Sequence, residues 1–188
     1  PNISKVFSEM IFIWIISYWQ KFYKNKEINI IELGAGNGEM IKQIIISSKK
    51  FNNFHKNCNF KIFEKSEKLI KLQKSRLKKY NIKWLKNFDK LDNKPVIFFG
   101  NEFLDALPIK QYIKNNGSWY ERYVKKHGKF FKFKNIKCDI KKIEKKLNLN
   151  LSNKHKFLEV PFEAIKIKKK LDFIITKKRG CLLFIDYA

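Results

Sequence analysis

The stretch Glu32-Leu33-Gly34-Ala35-Gly36-Asn37-Gly38 constrains this chain more than any other part of it. Its three alternating glycines directly follow the apolar run Ile28 to Leu33 and directly precede the helix-patterned run Glu39 to Ser48. A short apolar run closed by a glycine turn reads as a buried strand, and the periodic run behind it as a helix. Without a Cβ the loop can turn sharply and let its backbone approach a bound molecule. The start of the helix adds free N–H groups and the positive end of its dipole. A plain strand-to-helix turn needs fewer glycines.

The pattern repeats downstream. Residues 5 to 24 read as a mostly apolar helix, 60 to 63 as a strand, 82 to 85 as a third and 96 to 100 as a fourth. Between them, residues 66 to 80 carry Leu69, Leu72 and Leu77 at helical spacing among lysines, which reads as an amphipathic helix. Strands alternating with helices imply βαβ units, an open parallel α/β sheet and a ligand site at the carboxyl ends of the strands. Residues 109 to 135 break the pattern: three short strands separated by Asn115-Asn116-Gly117 and His127-Gly128 read as an inserted β-meander within one domain spanning 1 to 188. Residues 136 to 156 read as a helix and a solvated linker, 162 to 178 as a helix, and 181 to 187 as a buried strand. The first residue is not methionine and the last follows a strand-like run, so the chain is read as truncated at both ends.

Three polar signals sit where those strands end. Gly34, Gly36 and Gly38 are spaced G-x-G-x-G, not the dinucleotide pattern G-x-G-x-x-G, and Glu39 would repel a pyrophosphate. Acidic residues at this loop suit S-adenosyl-L-methionine (SAM), which has no phosphate and carries an ammonium and a sulfonium. Glu64 follows the second strand near the spacing at which such folds put an acid on a ribose, where a carboxylate can accept from both hydroxyls. Asn101-Glu102-Phe103-Leu104-Asp105 gathers two acids and an amide after the fourth strand; capping of a helix start by Asn101 and Asp105 is the plainer alternative.

Those acids stand out because the chain has 42 Lys+Arg against 17 Asp+Glu, a formal net charge of +25. Arginine is confined to Arg76, Arg122 and Arg179, and the lysines are scattered among many Ile and Asn residues. Readers of phosphates and bases favour the planar arginine fork, so this charge reads first as compositional drift, with a selected polyanion-binding surface as the alternative; nucleic acid would bind non-specifically in either case. Cys58, Cys138 and Cys181 have no metal-ligand or disulfide spacing, which fits a reducing compartment and no metal. The apolar run Met10 to Ile16 is too short to span a bilayer and reads as part of a buried helix, with a membrane-surface helix as the alternative. His55, His127 and His155 read as surface residues, and Trp119 as packed across strands.

The chain resembles the MidA family of class I SAM-dependent methyltransferases. The resemblance rests on Pro1-x-Ile3-Ser4-x-x-Phe7-Ser8-Glu9 with Trp14, the glycine loop, Glu64 with Ser66, Trp84, Asn101-Glu102-Phe103-x-Asp105-Ala106-Leu107-Pro108 with Gln111, Glu159-Val160 and Phe184-Ile185-Asp186-Tyr187. Departures are Ser8 and Phe12 at usual glycines, Lys65 and Glu67 after the ribose acid, Leu85-Lys86 where His-Asp is common, and Ala188 at a glycine. Asn87 or Asp89 would then take over the adenine-side contact.

The resemblance implies a Rossmann-like class I methyltransferase sheet and SAM as cofactor. It implies cofactor contacts from Ser4, Glu32, Gly34, Ala35, Gly36, Gly38, Glu64, Lys65, Asn87 and Asn101. Glu102 and Asp105 are the catalytic candidates, with Asp186 and Tyr187 behind them, as groups that orient an arginine guanidinium and help remove its proton. The implied substrate is a protein, a respiratory complex I subunit or a bacterial counterpart. The implied location is cytoplasmic in a bacterium and the mitochondrial matrix in a eukaryote. An RNA or small-molecule methyltransferase and a non-enzymatic assembly chaperone that keeps a SAM pocket stay open as alternatives, as does a homodimer.

Overall fold

The computed structural model describes residues 5–89 and 91–186. They fall into two compact units, one running to Asp105 and resuming at Lys169, the other Ala106–Lys168.

In the first unit, α1 (Lys5–Phe22) leads into β1 (Ile28–Leu33), α2 (Glu39–Ser48), the short α3 (Asn52–Asn57), β2 (Cys58–Phe63), α4 (Glu67–Arg76), β3 (Lys83–Leu85) and β4 (Val96–Asn101). The last strand of this sheet, β9 (Gly180–Ile185), comes from the end of the chain. The order is β3-β2-β1-β4-β9, and every pairing is parallel. The chain winds outward from β1 through β2 to β3, then returns to the other side of β1 with β4. That reversal is the topological switch point, and it puts the β1 and β4 loops side by side.

Every residue of β1 is buried, as is all of β4 before Asn101, so the alternation of a half-exposed strand is missing from their sequences. Ile15, Ile28, Ile30, Ile41, Ile44 and Ile62 belong to one core packed by α1, α2 and the strands. Below the sheet's carboxyl end, Lys61 donates to Asn29 (2.6 Å) and Asn29 donates to Asp92 (2.6 Å), which satisfies a buried cation with polar partners of its own.

Two sequence expectations change here. The run Met10 to Ile16 buries only one face: Ile11, Phe12, Ile15 and Ile16 are inside, while Met10 and Ile13 are 63% and 60% exposed. No helix among the described residues is long and apolar enough to cross a membrane. On α4 the inward residues are Ile70 and Gln73, continued by Leu77 just past its end, and Leu72 is exposed. The leucine spacing pointed to the wrong face because a buried glutamine does not register as apolar.

The second unit is an antiparallel sheet of order β7-β6-β5-β8, built from β5 (Lys110–Asn115), β6 (Ser118–His127), β7 (Phe130–Lys137) and β8 (Phe157–Val160), with α5 (Ile140–Leu147) before β8. Asn116 and Gly117 both have positive φ (45° and 76°), the turn that matches strand twist in a two-residue hairpin. Trp119 is buried with Tyr112, Ile140 and Val160, and β7 is exposed along its whole length. β8 lies in the gap between the linker read to residue 156 and the helix read from 162, where the sequence suggested no element. Helix α6 (Phe162–Lys178) runs from this unit into the first.

Candidate functional site

Strand β1 delivers Glu32 and the glycine loop to the switch point. Glu32 is 1% exposed, and one of its carboxyl oxygens accepts from the Ile41 N–H (3.1 Å), tying the first turn of α2 to the strand. Burial pushes this carboxyl up to about 8, offset only in part by the Ile41 N–H. Gly34, Gly36 and Gly38 all have positive φ (68°, 53° and 81°). Their surroundings differ. A Cβ on Gly34 would meet the Phe103 ring at 2.7 Å and one on Gly38 the Leu77 side chain at 2.8 Å, so both glycines allow close packing. A Cβ on Gly36 would meet nothing within 4 Å. Gly36 therefore faces open space at the apex of the loop, and Ala35 beside it is buried.

Glu64 follows β2, and its N–H bonds Leu85 O (3.1 Å) beside it on β3. One carboxylate oxygen accepts the backbone N–H groups of Lys65 and Ser66 (both 2.9 Å). The other is 3.4 Å from the Gln73 amide nitrogen. The glutamate is thus pinned through its first oxygen and has acceptor capacity left on its second. Lys65 and Asn87 are exposed; Asn87 accepts from the Asp89 N–H (3.2 Å), and Asp89 pairs with Lys170 (2.7 Å). Phe88 is buried and stacks on Phe63 at 4.4 Å, an aromatic pair that carried no signal in the sequence.

At the end of β4, Asn101 pairs with Ile185 of β9. No helix starts there, so the capping alternative lapses. Glu102 takes a left-handed φ of 49° while its N–H bonds Ile185 O (2.8 Å). A non-glycine residue held there stores local strain, which tends to collect at functional sites. Asp186 accepts the Leu104 N–H through one oxygen (3.3 Å); the other is buried with no hydrogen-bond partner among the described residues. Asp105 is exposed. Ser4 and Tyr187 lie outside the described residues. His55, read as a surface residue, is half-buried and shares a hydrogen bond with Ser48 Oγ (2.7 Å). No group of three His, Cys, Asp or Glu residues among those described could hold a metal.

The loops after β1, β2 and β4 thus present an open glycine apex flanked by two buried carboxyls with unused acceptor capacity. That donor-poor, acceptor-rich edge fits a ligand offering an ammonium and vicinal hydroxyls, which SAM does.

Comparison with known proteins agrees. The mitochondrial protein arginine methyltransferase NDUFAF7 homolog of Caenorhabditis elegans is 31% identical over 144 residues, 66% of this chain and 33% of that protein. Human NDUFAF7 is 26% identical over 66% of this chain and 34% of its own length, and the Danio rerio protein 25% over 100% and 50%. The chain therefore spans a third to a half of the curated relatives it matches. A Burkholderia thailandensis structure bound to S-adenosyl-homocysteine superposes with a TM-score of 0.75 at 19% identity, over 100% of this chain and 48% of that one, which shows the shared class I methyltransferase fold. The sequence model of one family matches residues 10–188, and the chain belongs to that family, the S-adenosyl-L-methionine-dependent methyltransferases.

Proposed function

We propose that this chain holds the cofactor-binding part of a protein arginine methyltransferase, with residues 106–168 inserted in that domain. The carrying observation is the open apex at Gly36 between Glu32 and Glu64. Glu32 stands near the ammonium end of the cofactor and Glu64 near its ribose; Gly34, Ala35 and Gly38 shape the loop, and Asn101 closes the β4 side. Bound SAM supplies a methyl group on a sulfonium.

The acceptor side falls to Glu102 and Asp186, with Asp105 and Tyr187 as neighbours in sequence. A guanidinium is a poor nucleophile while protonated, so carboxylates must orient it and draw off its proton. The Asp186 oxygen with no partner among the described residues is a buried acceptor that an N–H of such a group would satisfy. The relatives named as protein arginine methyltransferases support a protein acceptor, and the resemblance extends this to a complex I subunit. Their mitochondrial names support a matrix location in a eukaryotic host.

The test is titration of SAM into the full-length protein, beside Gly36→Val, followed by transfer of labelled methyl to protein and to RNA. Binding lost in the variant, and label in arginine of a protein that falls at least about a hundredfold in Glu102→Gln, is the expected result. Label in RNA would overturn the acceptor assignment. SAM binding with no transfer to either would favour an assembly chaperone.

A further inference from the structure

Helix α4 is rich in lysine, yet its innermost side chain is the amide of Gln73, fully buried between Ile70 and Leu77. A buried amide is costly unless its donors and acceptor all find partners. Gln73 finds three. Its nitrogen donates to Gly36 O (2.9 Å) at the loop apex and to the second oxygen of Glu64 (3.4 Å), and its oxygen accepts from Trp84 Nε1 (2.9 Å).

The orientation of this amide is set by its partners. Gly36 O and the Glu64 carboxylate can only accept, and the indole N–H can only donate, so one of the two amide orientations satisfies all three. The residue type is set as well. Glutamate would offer no donor at neutral pH, and leucine neither donor nor acceptor.

The consequence reaches the cofactor. Gln73 spans the loop that follows β1 and the acid that follows β2, two segments that meet different ends of SAM. One amide holds the Gly36 carbonyl and the second oxygen of Glu64 together, while the first oxygen is held by the Lys65 and Ser66 N–H groups. Trp84, on β3, holds the amide in place from behind.

We infer that Gln73 is a positioning residue of the cofactor site, which locks the glycine loop to the ribose acid so that both ends of SAM are met in register. This rests on the SAM reading of that site. It acts through Gly36 and Glu64 and need not touch the ligand.

The experiment is SAM titration with the full-length protein as wild type, Gln73→Leu, Gln73→Glu and Trp84→Phe, each from pH 6 to 8, with far-ultraviolet circular dichroism as the check on folding. Gln73→Leu should weaken SAM about tenfold. Trp84→Phe keeps the ring volume and removes one N–H; it should weaken SAM severalfold, less than additively with Gln73→Leu. Gln73→Glu sets a second carboxylate against Glu64. Its deficit relative to wild type should be largest at pH 8 and shrink toward pH 6, where a shared proton restores a donor between the two acids. A purely structural glutamine would lower stability without that pH profile.

Wild type that binds no SAM overturns the site reading and this inference with it. Wild type that binds, beside a folded Gln73→Leu that binds within twofold, overturns this inference alone. A pH-independent Gln73→Glu deficit does the same.

Discussion

Glu32 and Glu144 are glutamates of nearly equal burial, 1% and 6% exposed, one in each unit of the molecule. Their carboxyls are driven in opposite directions. Among the described residues Glu32 receives one hydrogen bond, from the Ile41 N–H, and burial raises it to about 8. Glu144, on α5, accepts the N–H groups of Leu151 (2.7 Å) and Ser152 (2.6 Å) and pairs with Lys141 (3.0 Å), and it is held down at about 2, chiefly by the Ser152 N–H. At Glu32 desolvation outweighs its hydrogen bond, whereas at Glu144 the backbone N–H groups and Lys141 outweigh desolvation. The second unit uses its acid to tie α5 to the segment that follows, with two N–H groups on one oxygen and a lysine on the other. The first unit keeps its acid short of donors at the carboxyl end of β1, where a cationic ligand can supply the missing partner.

The sharpest break of this comparison is a pair of substitutions. Glu32→Gln should cost at least about 30-fold in SAM affinity, because the ligand ammonium loses its counter-charge in a buried place. Glu144→Leu should leave SAM affinity unchanged while it strands the Leu151 and Ser152 N–H groups. Region-resolved hydrogen exchange would then show faster exchange in α5 and β8 and native rates in β1. Loss of SAM binding in Glu144→Leu would erase the distinction.

The pH dependence of stability comes next in size. Glu32 is neutral in the folded chain and ionised in the unfolded one between the ordinary carboxylate range and about pH 8. Across that window it therefore removes stability as pH rises, by up to about 1.4 kcal/mol per unit, and Glu32→Gln should abolish that slope. Glu144 has the opposite sign: its stabilisation is present above the ordinary carboxylate range and is lost as pH falls toward about 2. Denaturant titrations of wild type and the two variants from pH 3 to 8 would read both slopes. Binding of SAM should release a proton from Glu32 below pH 8, visible as a buffer-dependent heat.

The smallest effect sharpens the comparison most locally. Gly36 and Gly117 both have positive φ and open space where a Cβ would go. Alanine at either should cost about 1 kcal/mol of stability for the left-handed backbone. Only Gly36→Ala should also weaken SAM, by about tenfold. Equal SAM affinity in the two variants would mean that nothing approaches the Gly36 apex.

The sequence carried these two units unequally. Gly34, Gly36 and Gly38 after an apolar run marked the strand-to-helix loop and the candidate site on it because glycine leaves a signature that few other needs produce. The hairpins were legible from Asn116-Gly117 and His127-Gly128 for the same reason. Gln73 was not, since a polar residue on a buried stripe breaks the pattern by which stripes are found, and Leu69 and Leu72 drew the helix phase away from it. The left-handed backbone of Glu102 and the buried oxygen of Asp186 that has no partner among the described residues were equally silent. Both arise from how β4 and β9 end side by side, and residues so far apart in the chain show no pairing signal.

That pairing of β4 with β9 also sets a timetable. Residues 102–179, among them the whole antiparallel unit, must be threaded out before β9 can reach its place beside β4. At equilibrium the detour is cheap, because doubling a loop adds only about 0.6 kcal/mol of closure entropy. Its weight falls on the rate: a strand that docks last across a long sequence separation makes folding slow. Until it arrives, the β4 edge is open along the row from Val96 to Asn101, so a slow ribosome leaves that row of unpaired backbone groups free to pair with another chain.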